Sequence, residues 1–168
     1  MGVMSNYTVP GINDTDAKQL IDGLQERLTD YNDLHLILKH VHWNVVGPNF
    51  IAVHEMIDPQ VDLVRGYADE VAERISTLGG EPIGTPAGHV DNRTPLEYEK
   101  NRGTTLDHLA ALDKVYVQVL ERLRESLAQA GDVDPVTEDI YIAQAAELEK
   151  FQWFMRAHLD DGSGDITR

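Results

Sequence analysis

From Thr15 to about Val46, apolar residues recur at spacings of three and four: Leu20, Ile21, Leu24, Leu28, Tyr31, Leu34, Ile37, Leu38, Val41 and Val45. That period predicts one long amphipathic helix, opened by capping candidates between Asn13 and Thr15. Gly47-Pro48 interrupts the stripe. A second helix is expected from about Asn49 through Ile57, Val61, Val64, Val71 and Ile75, stopping at Gly79-Gly80, with Pro59 kinking it. Residues 80–103 are rich in Gly, Pro and polar side chains, too irregular for a long helix and too long for a tight turn, so they read as a crossover connection. Within it, Thr94-Pro95 followed by Glu97 has the form of a capping box and predicts a short helix over about 95–101. A third helix turns Leu106, Leu109, Leu112, Val115, Val119, Leu120, Leu123 and Leu127 inward and ends near Gly131. A fourth starts at Asp134-Pro135 and carries Ile140, Ile142, Ala145, Leu148, Phe151, Phe154 and Met155. No strand-like alternation of useful length is present. The expected architecture is all-α: a four-helix bundle whose long crossover joins helices two and three and carries a short extra helix.

The 168 residues, 42% of them apolar, suit a single domain spanning residues 1–168, with an extended tail over 1–13 and a second tail over 161–168. No apolar run has membrane-spanning length, and the first residues contain neither a basic nor an apolar leader pattern, which points to a soluble, cytoplasmic protein. Cysteine is absent, so disulfides, thiolate zinc sites and cysteine nucleophiles are excluded, and any metal must be held by His and carboxylate. With 29 Asp and Glu against 14 Lys and Arg, the formal charge is −15. Such a surface repels phosphate backbones and favours cations.

A bundle with a di-iron centre inside one subunit uses Glu-x-x-His steps, and no Glu in this chain is followed by His three residues later. The second helix instead offers His54 with Asp58 and Asp69 with Glu73, each pair one turn apart. Asp58 and Asp69 are separated by about 16 Å at about 1.5 Å of rise per residue, too far for one straight helix to bring both pairs to one ion. An antiparallel copy of the same helix removes the difficulty. Reversal about a centre between Leu63 and Val64 exchanges Asp58 with Asp69 and His54 with Glu73, so a two-fold axis there would create two equivalent sites. Gly66 beside that centre would let backbones approach closely. His42, near the end of the first helix, is the natural further donor. Two His and three carboxylates suit iron or zinc better than calcium or magnesium.

At these residues the chain resembles the Dps family, the miniferritins of the ferritin-like superfamily. The resemblance rests on His42-Trp43-Asn44-Val45-Val46-Gly47 with Phe50, on His54, Asp58, Asp69 and Glu73, on Ala72-Glu73-Arg74-Ile75 leading to Leu78-Gly79-Gly80, and on Lys150-Phe151-Gln152-Trp153-Phe154. It implies that His42, His54 and Asp58 come from one subunit and Asp69 and Glu73 from its two-fold mate. It further implies a homododecameric shell that oxidises Fe(II), preferably with hydrogen peroxide, and stores ferric oxyhydroxide, with zinc as a possible competitor. Trp43, next to a ligand, would be a sacrificial electron donor or a packing residue. Asp132, Asp134, Glu138 and Asp139 fall where the family lines its three-fold pores. The competing readings are a DNA-condensing nucleoid protein with little ferroxidase activity, and an inert or zinc-binding bundle. Residues 1–17 contain no Lys or Arg, and the last nine contain three Asp against one Arg, so the basic tails that bind DNA in many Dps proteins are missing.

Overall fold

The structure is a computed structural model and describes residues 9–163; the outer parts of both expected tails, 1–8 and 164–168, lie outside the described residues. Four long helices form the body: α1 (Asp14–Asn44), α2 (Phe50–Thr77), α4 (Thr105–Ala130) and α5 (Pro135–Leu159). A short α3 (Pro86–Asn92) and two two-residue strands, β1 (Val45–Val46) and β2 (Gly103–Thr104), complete the elements. α1 packs mainly on α2 and α4 on α5. The apolar stripes meet in one core that includes Leu24, Leu34, Leu38, Ile57, Val64, Ile75, Leu112, Val119 and Leu148. Val9 and Ile12, ahead of α1, pack against that core.

Helix ends follow local chemistry. The Asn13 side chain accepts from the Asp16 N–H at 3.0 Å and opens α1. Gly47 (φ 97°) and Asn49 (φ 62°) occupy left-handed backbone, which lets the chain reverse within three residues between α1 and α2. α2 continues through Pro59. The missing proline N–H leaves the Glu55 carbonyl without its helical donor, and Glu55 lies on the exposed side, where water can serve.

Three sequence expectations are corrected. The short crossover helix forms at Thr85-Pro86, where the Thr85 hydroxyl accepts from the Gly88 N–H at 3.2 Å, and not over 95–101. The later Thr-Pro step is drawn into extended chain by bonds to the bundle: Arg122 donates to the Thr94 carbonyl at 3.1 Å, His40 Nε2 donates to the Lys100 carbonyl at 2.7 Å, and Leu96 is buried. β1 and β2 pair in parallel, Val45 with Gly103 and Val46 with Thr104, where no strand was expected. Leu106 and Ile142 are about half exposed, because Thr105, His108 and Leu109 in one helix and Tyr141, Gln144 and Ala145 in the other take the inward positions.

Polar bonds lock the helix pairs together. Tyr31 donates to Gln144 at 2.6 Å between α1 and α5, and Tyr116 donates to Gln60 at 2.7 Å between α4 and α2. Arg27, almost wholly buried in α1, donates to Ser126 of α4 at 2.8 Å and pairs with Asp30, which also receives Arg122. On the crossover, His89 and Arg93 both bind the Asp33 carboxylate of α1 at 2.8 and 2.9 Å.

Candidate metal centre

The turn between α1 and α2 brings His42 and His54 face to face, with ring centroids 3.6 Å apart and planes 24° from parallel. Each ring is held by the other residue's backbone. His42 Nδ1 lies 3.1 Å from the His54 carbonyl, and His54 Nδ1 lies 2.9 Å from the His42 carbonyl. A carbonyl can only accept, so both Nδ1 atoms carry a proton, and the ligating form of each ring is the one with its lone pair at Nε2. A carbonyl bonded to one ring nitrogen prepares the other to ligate a metal, because the tautomer and ring direction are set before the ion arrives.

Asp58, one turn after His54, joins them, with Oδ1 3.2 Å from His42 Nδ1. Pro59 therefore does not carry it away from the histidines. Lys39 of α1 also bonds Oδ1, at 2.9 Å, and this hydrogen bond holds the Asp58 carboxyl below its usual range against the small opposing effect of burial. Lys39 is a site residue that sequence reasoning overlooked. Its place one turn before His42 and Trp43, on the same helix face, is the signal that could have revealed it.

Asp69 and Glu73 lie further along α2, both exposed. Among the described residues, no three His, Asp or Glu side chains of a single chain are gathered so as to hold a metal. His42 touches both His54 and Asp58, but the three do not close into a metal-holding group within one chain, and Asp69 and Glu73 stand apart from them. Gly66 is exposed, and a Cβ built on it would meet nothing within 4 Å, so this part of α2 is open to close approach.

Comparison with known proteins identifies the family of the chain. A family model described as a ferritin-like domain matches residues 21–164. The "DNA protection during starvation protein" of Mycolicibacterium smegmatis is 59% identical over 164 residues, covering 98% of this chain and 90% of that protein. The chain belongs to the Dps branch of the ferritin-like family. In three dimensions it is similar to Mycobacterium smegmatis Dps in a tetragonal crystal form, with TM-score 0.95 and 59% identity, covering 98% of this chain and all of that one. It is equally similar to DpsA14 from Streptomyces coelicolor, with TM-score 0.95, 54% identity and complete coverage of both chains.

Two Dps expectations change in the structure. Trp43 is 71% exposed in the single chain, with Lys39 Nζ 5.9 Å from its ring centroid, so packing within the subunit does not account for it. Asp134 is not a free pore residue. It is buried and caps α5, accepting from the Val136 and Thr137 N–H groups at 3.2 Å and from Arg74 of α2. Burial alone would raise its carboxyl, but the bonds from Thr137 and Arg74 together hold it below the usual value. Asp132 and Asp139 remain exposed beside it, and Glu138 is half-buried. Among the described residues no helix is long and apolar enough to cross a membrane.

Proposed function

We propose that this Dps protein is a cytoplasmic ferroxidase and iron store, assembled as a shell of twelve subunits, whose oxidation sites lie between two-fold mates. The single observation that carries the reading is the reciprocal His42–His54 pairing, which commits both Nδ1 atoms to carbonyls and leaves both Nε2 atoms for a metal beside Asp58. His42, His54 and Asp58 would supply one side of the site, and Asp69 and Glu73 of the mate the other, as the reversal symmetry of α2 requires. Two nitrogens and three carboxylates match Fe(II), with Zn(II) as a competitor.

Fe(II) is the substrate. Two ferrous ions each give up one electron, one hydrogen peroxide accepts both as its O–O bond breaks, and two water molecules complete two ferric oxyhydroxide units with release of four protons. Delivering both electrons to one peroxide leaves no hydroxyl radical behind. Dioxygen is the slower alternative oxidant. The carboxylates hold the ions and accept part of the released protons, while the carbonyl-tethered imidazoles stay in their ligating tautomer. Trp43, next to His42 and exposed in the single chain, would give up an electron should a peroxide meet one ferrous ion only. The charge of −15 per chain, repeated twelve times, opposes direct binding to duplex DNA.

The test loads apo-protein anaerobically with Fe(II), adds peroxide, and follows ferric absorbance in the parent and in a His54→Ala, Glu73→Ala variant. The parent should oxidise iron faster than buffer and keep it soluble. The variant, still assembled, should fall to the buffer rate; equal rates in the two proteins would remove the site from the mechanism.

A further inference from the structure

Tyr31 and Tyr116, both buried in the bundle, donate to amide oxygens, Tyr31 to Gln144 Oε1 at 2.6 Å and Tyr116 to Gln60 Oε1 at 2.7 Å. An amide oxygen accepts a hydrogen bond but is too weak a base to take the proton. Tyr98, half-buried in the extended end of the crossover, is placed differently. Its hydroxyl is bonded to Nδ1 of His108 in the first turn of α4, with the rings 6.2 Å apart and 20° from parallel. Among the described residues no other tyrosine hydroxyl is bonded to a basic nitrogen. His108 is fully buried, closed over by Gly103 of β2, where an added Cβ would stand 3.4 Å from Nε2. Burial and the His40 charge lower its pKa against the carbonyls of Asn44 and Asn101 and the carboxylate of Asp107, so the ring is neutral near pH 7. With Nδ1 facing a hydroxyl that donates, the neutral ring carries its proton at Nε2 and its lone pair at Nδ1. His40 links this pair to the candidate metal centre. Its ring meets Tyr98 nearly edge-on at 6.0 Å, its Nε2 donates to the Lys100 carbonyl at 2.7 Å, and Trp43 stands one turn further along α1, about 5–6 Å away between Cβ atoms. The parallel pairing of Val45 with Gly103 fixes the crossover end beside that turn of α1.

We propose that Tyr98 and His108 form a proton-coupled one-electron donor that refills Trp43 after a peroxide has met one ferrous ion only, resting on the role given to Trp43 above. A lone Fe(II) and hydrogen peroxide yield Fe(III), hydroxide and a hydroxyl radical. Trp43 gives that radical one electron, making a second hydroxide and an indole radical cation. Tyr98 then passes an electron to the indole while its hydroxyl proton crosses to His108 Nδ1, leaving neutral Trp43, a tyrosyl radical and an imidazolium. A second Fe(II) gives its electron to the tyrosyl radical, the proton returns from His108, and a second Fe(III) results. Two ferrous ions and one peroxide are thus consumed in sequence, with the same balance as when both ions react together. The proton step selects the residue. A phenol that has lost an electron is a far stronger acid than imidazolium, so His108 takes its proton as it forms, whereas Gln144 and Gln60 cannot do this for Tyr31 and Tyr116.

Electron paramagnetic resonance on shells loaded sparsely with Fe(II), mixed with peroxide and frozen within milliseconds tests the pair, with assembly of each variant checked by sedimentation. The parent should show a tyrosyl radical, and Tyr67→Phe, which removes a hydroxyl without a bonded partner, should keep it. The tyrosyl yield should fall about tenfold or more in Tyr98→Phe and in His108→Gln, which retains an acceptor but no base, with an indole radical persisting in its place. Trp43→Phe should lose the tyrosyl signal as well, because the route to Tyr98 passes through the indole. An unchanged tyrosyl yield in Tyr98→Phe or in His108→Gln would overturn the pair, and an unchanged yield in Trp43→Phe would overturn the refilling of Trp43. An indole radical in the parent without any tyrosyl signal would also remove the pair and leave Trp43 as a donor that is consumed. Absence of both radicals from the parent would remove the role of Trp43 and the pair with it, so the two failures carry different spectra.

Discussion

Replacing Asp134 by Ala removes two things at once. The α5 N-cap bonds to Val136 and Thr137 are lost, at about 1 kcal/mol. The Arg74 guanidinium, side chain 10% exposed, is left without its carboxylate, and an uncompensated buried charge costs about 3 kcal/mol or more. Its bond to Thr137 at 3.0 Å survives and offsets a little of this. The expected loss at neutral pH is therefore about 3–4 kcal/mol, read from urea unfolding of parent and variant at equal protein concentration, since assembly adds to apparent stability. Asp134→Asn keeps an acceptor for the cap and should lose roughly half as much. The pH dependence has a definite sign. The folded carboxyl titrates below its ordinary 3.8, so its contribution is complete above that value and disappears as pH falls through 3.8 towards the folded pKa. The Ala variant should lack this part of the parent's acid sensitivity. A loss under about 1 kcal/mol at neutral pH, or identical acid sensitivity in the two proteins, would refute the reasoning. The consequence reaches the proposed iron site, because Arg74 follows Glu73 and this anchor seats the end of α2 against α5.

Two further outcomes follow from buried polar groups. Tyr116→Phe leaves the buried Gln60 side-chain oxygen without its donor and should cost about 1–3 kcal/mol in the same unfolding assay, whereas a change within 0.5 kcal/mol would mean that Gln60 finds another partner. His108, fully buried against Tyr98 with Nε2 unpartnered, has its pKa lowered, first by burial, with the His40 charge adding to it and nearby carbonyls opposing. The folded state thus favours neutral His108, and stability should decline as pH falls through 6.5 towards the folded pKa; a His108→Gln variant showing the same decline over that window would contradict this.

Much of the architecture was legible because long helices advertise themselves. Asn13, Gly47-Pro48, Gly79-Gly80 and Asp134-Pro135 marked boundaries that the structure places within a few residues, and the spacing of three and four named most of the core. The crossover was misread because Thr85-Pro86 and Thr94-Pro95 carry the same local signal. Tertiary bonds from Arg122 and His40, invisible in spacing, decided between them. At the candidate site, the nearness of His42, His54 and Asp58 was readable from residue type and period. Their tautomers were not, because these depend on carbonyls brought together by the Gly47–Asn49 reversal. Lys39 was missed because its bond to Asp58 crosses from one helix to the next, where one-helix periodicity says nothing.

The inter-subunit claim is tested most directly by complementation. His54→Ala subunits and Glu73→Ala subunits, each inactive as a pure shell, are co-assembled in equal amounts and their peroxide-driven Fe(II) oxidation is compared with that of the parent. If each site takes His54 from one subunit and Glu73 from its mate, random mixing leaves about a quarter of the sites intact, and about a quarter of the parent's activity should return. If mixed shells stay as inactive as the pure variants, the two residues do not serve one site from opposite subunits, and the account of where this protein oxidises iron is wrong.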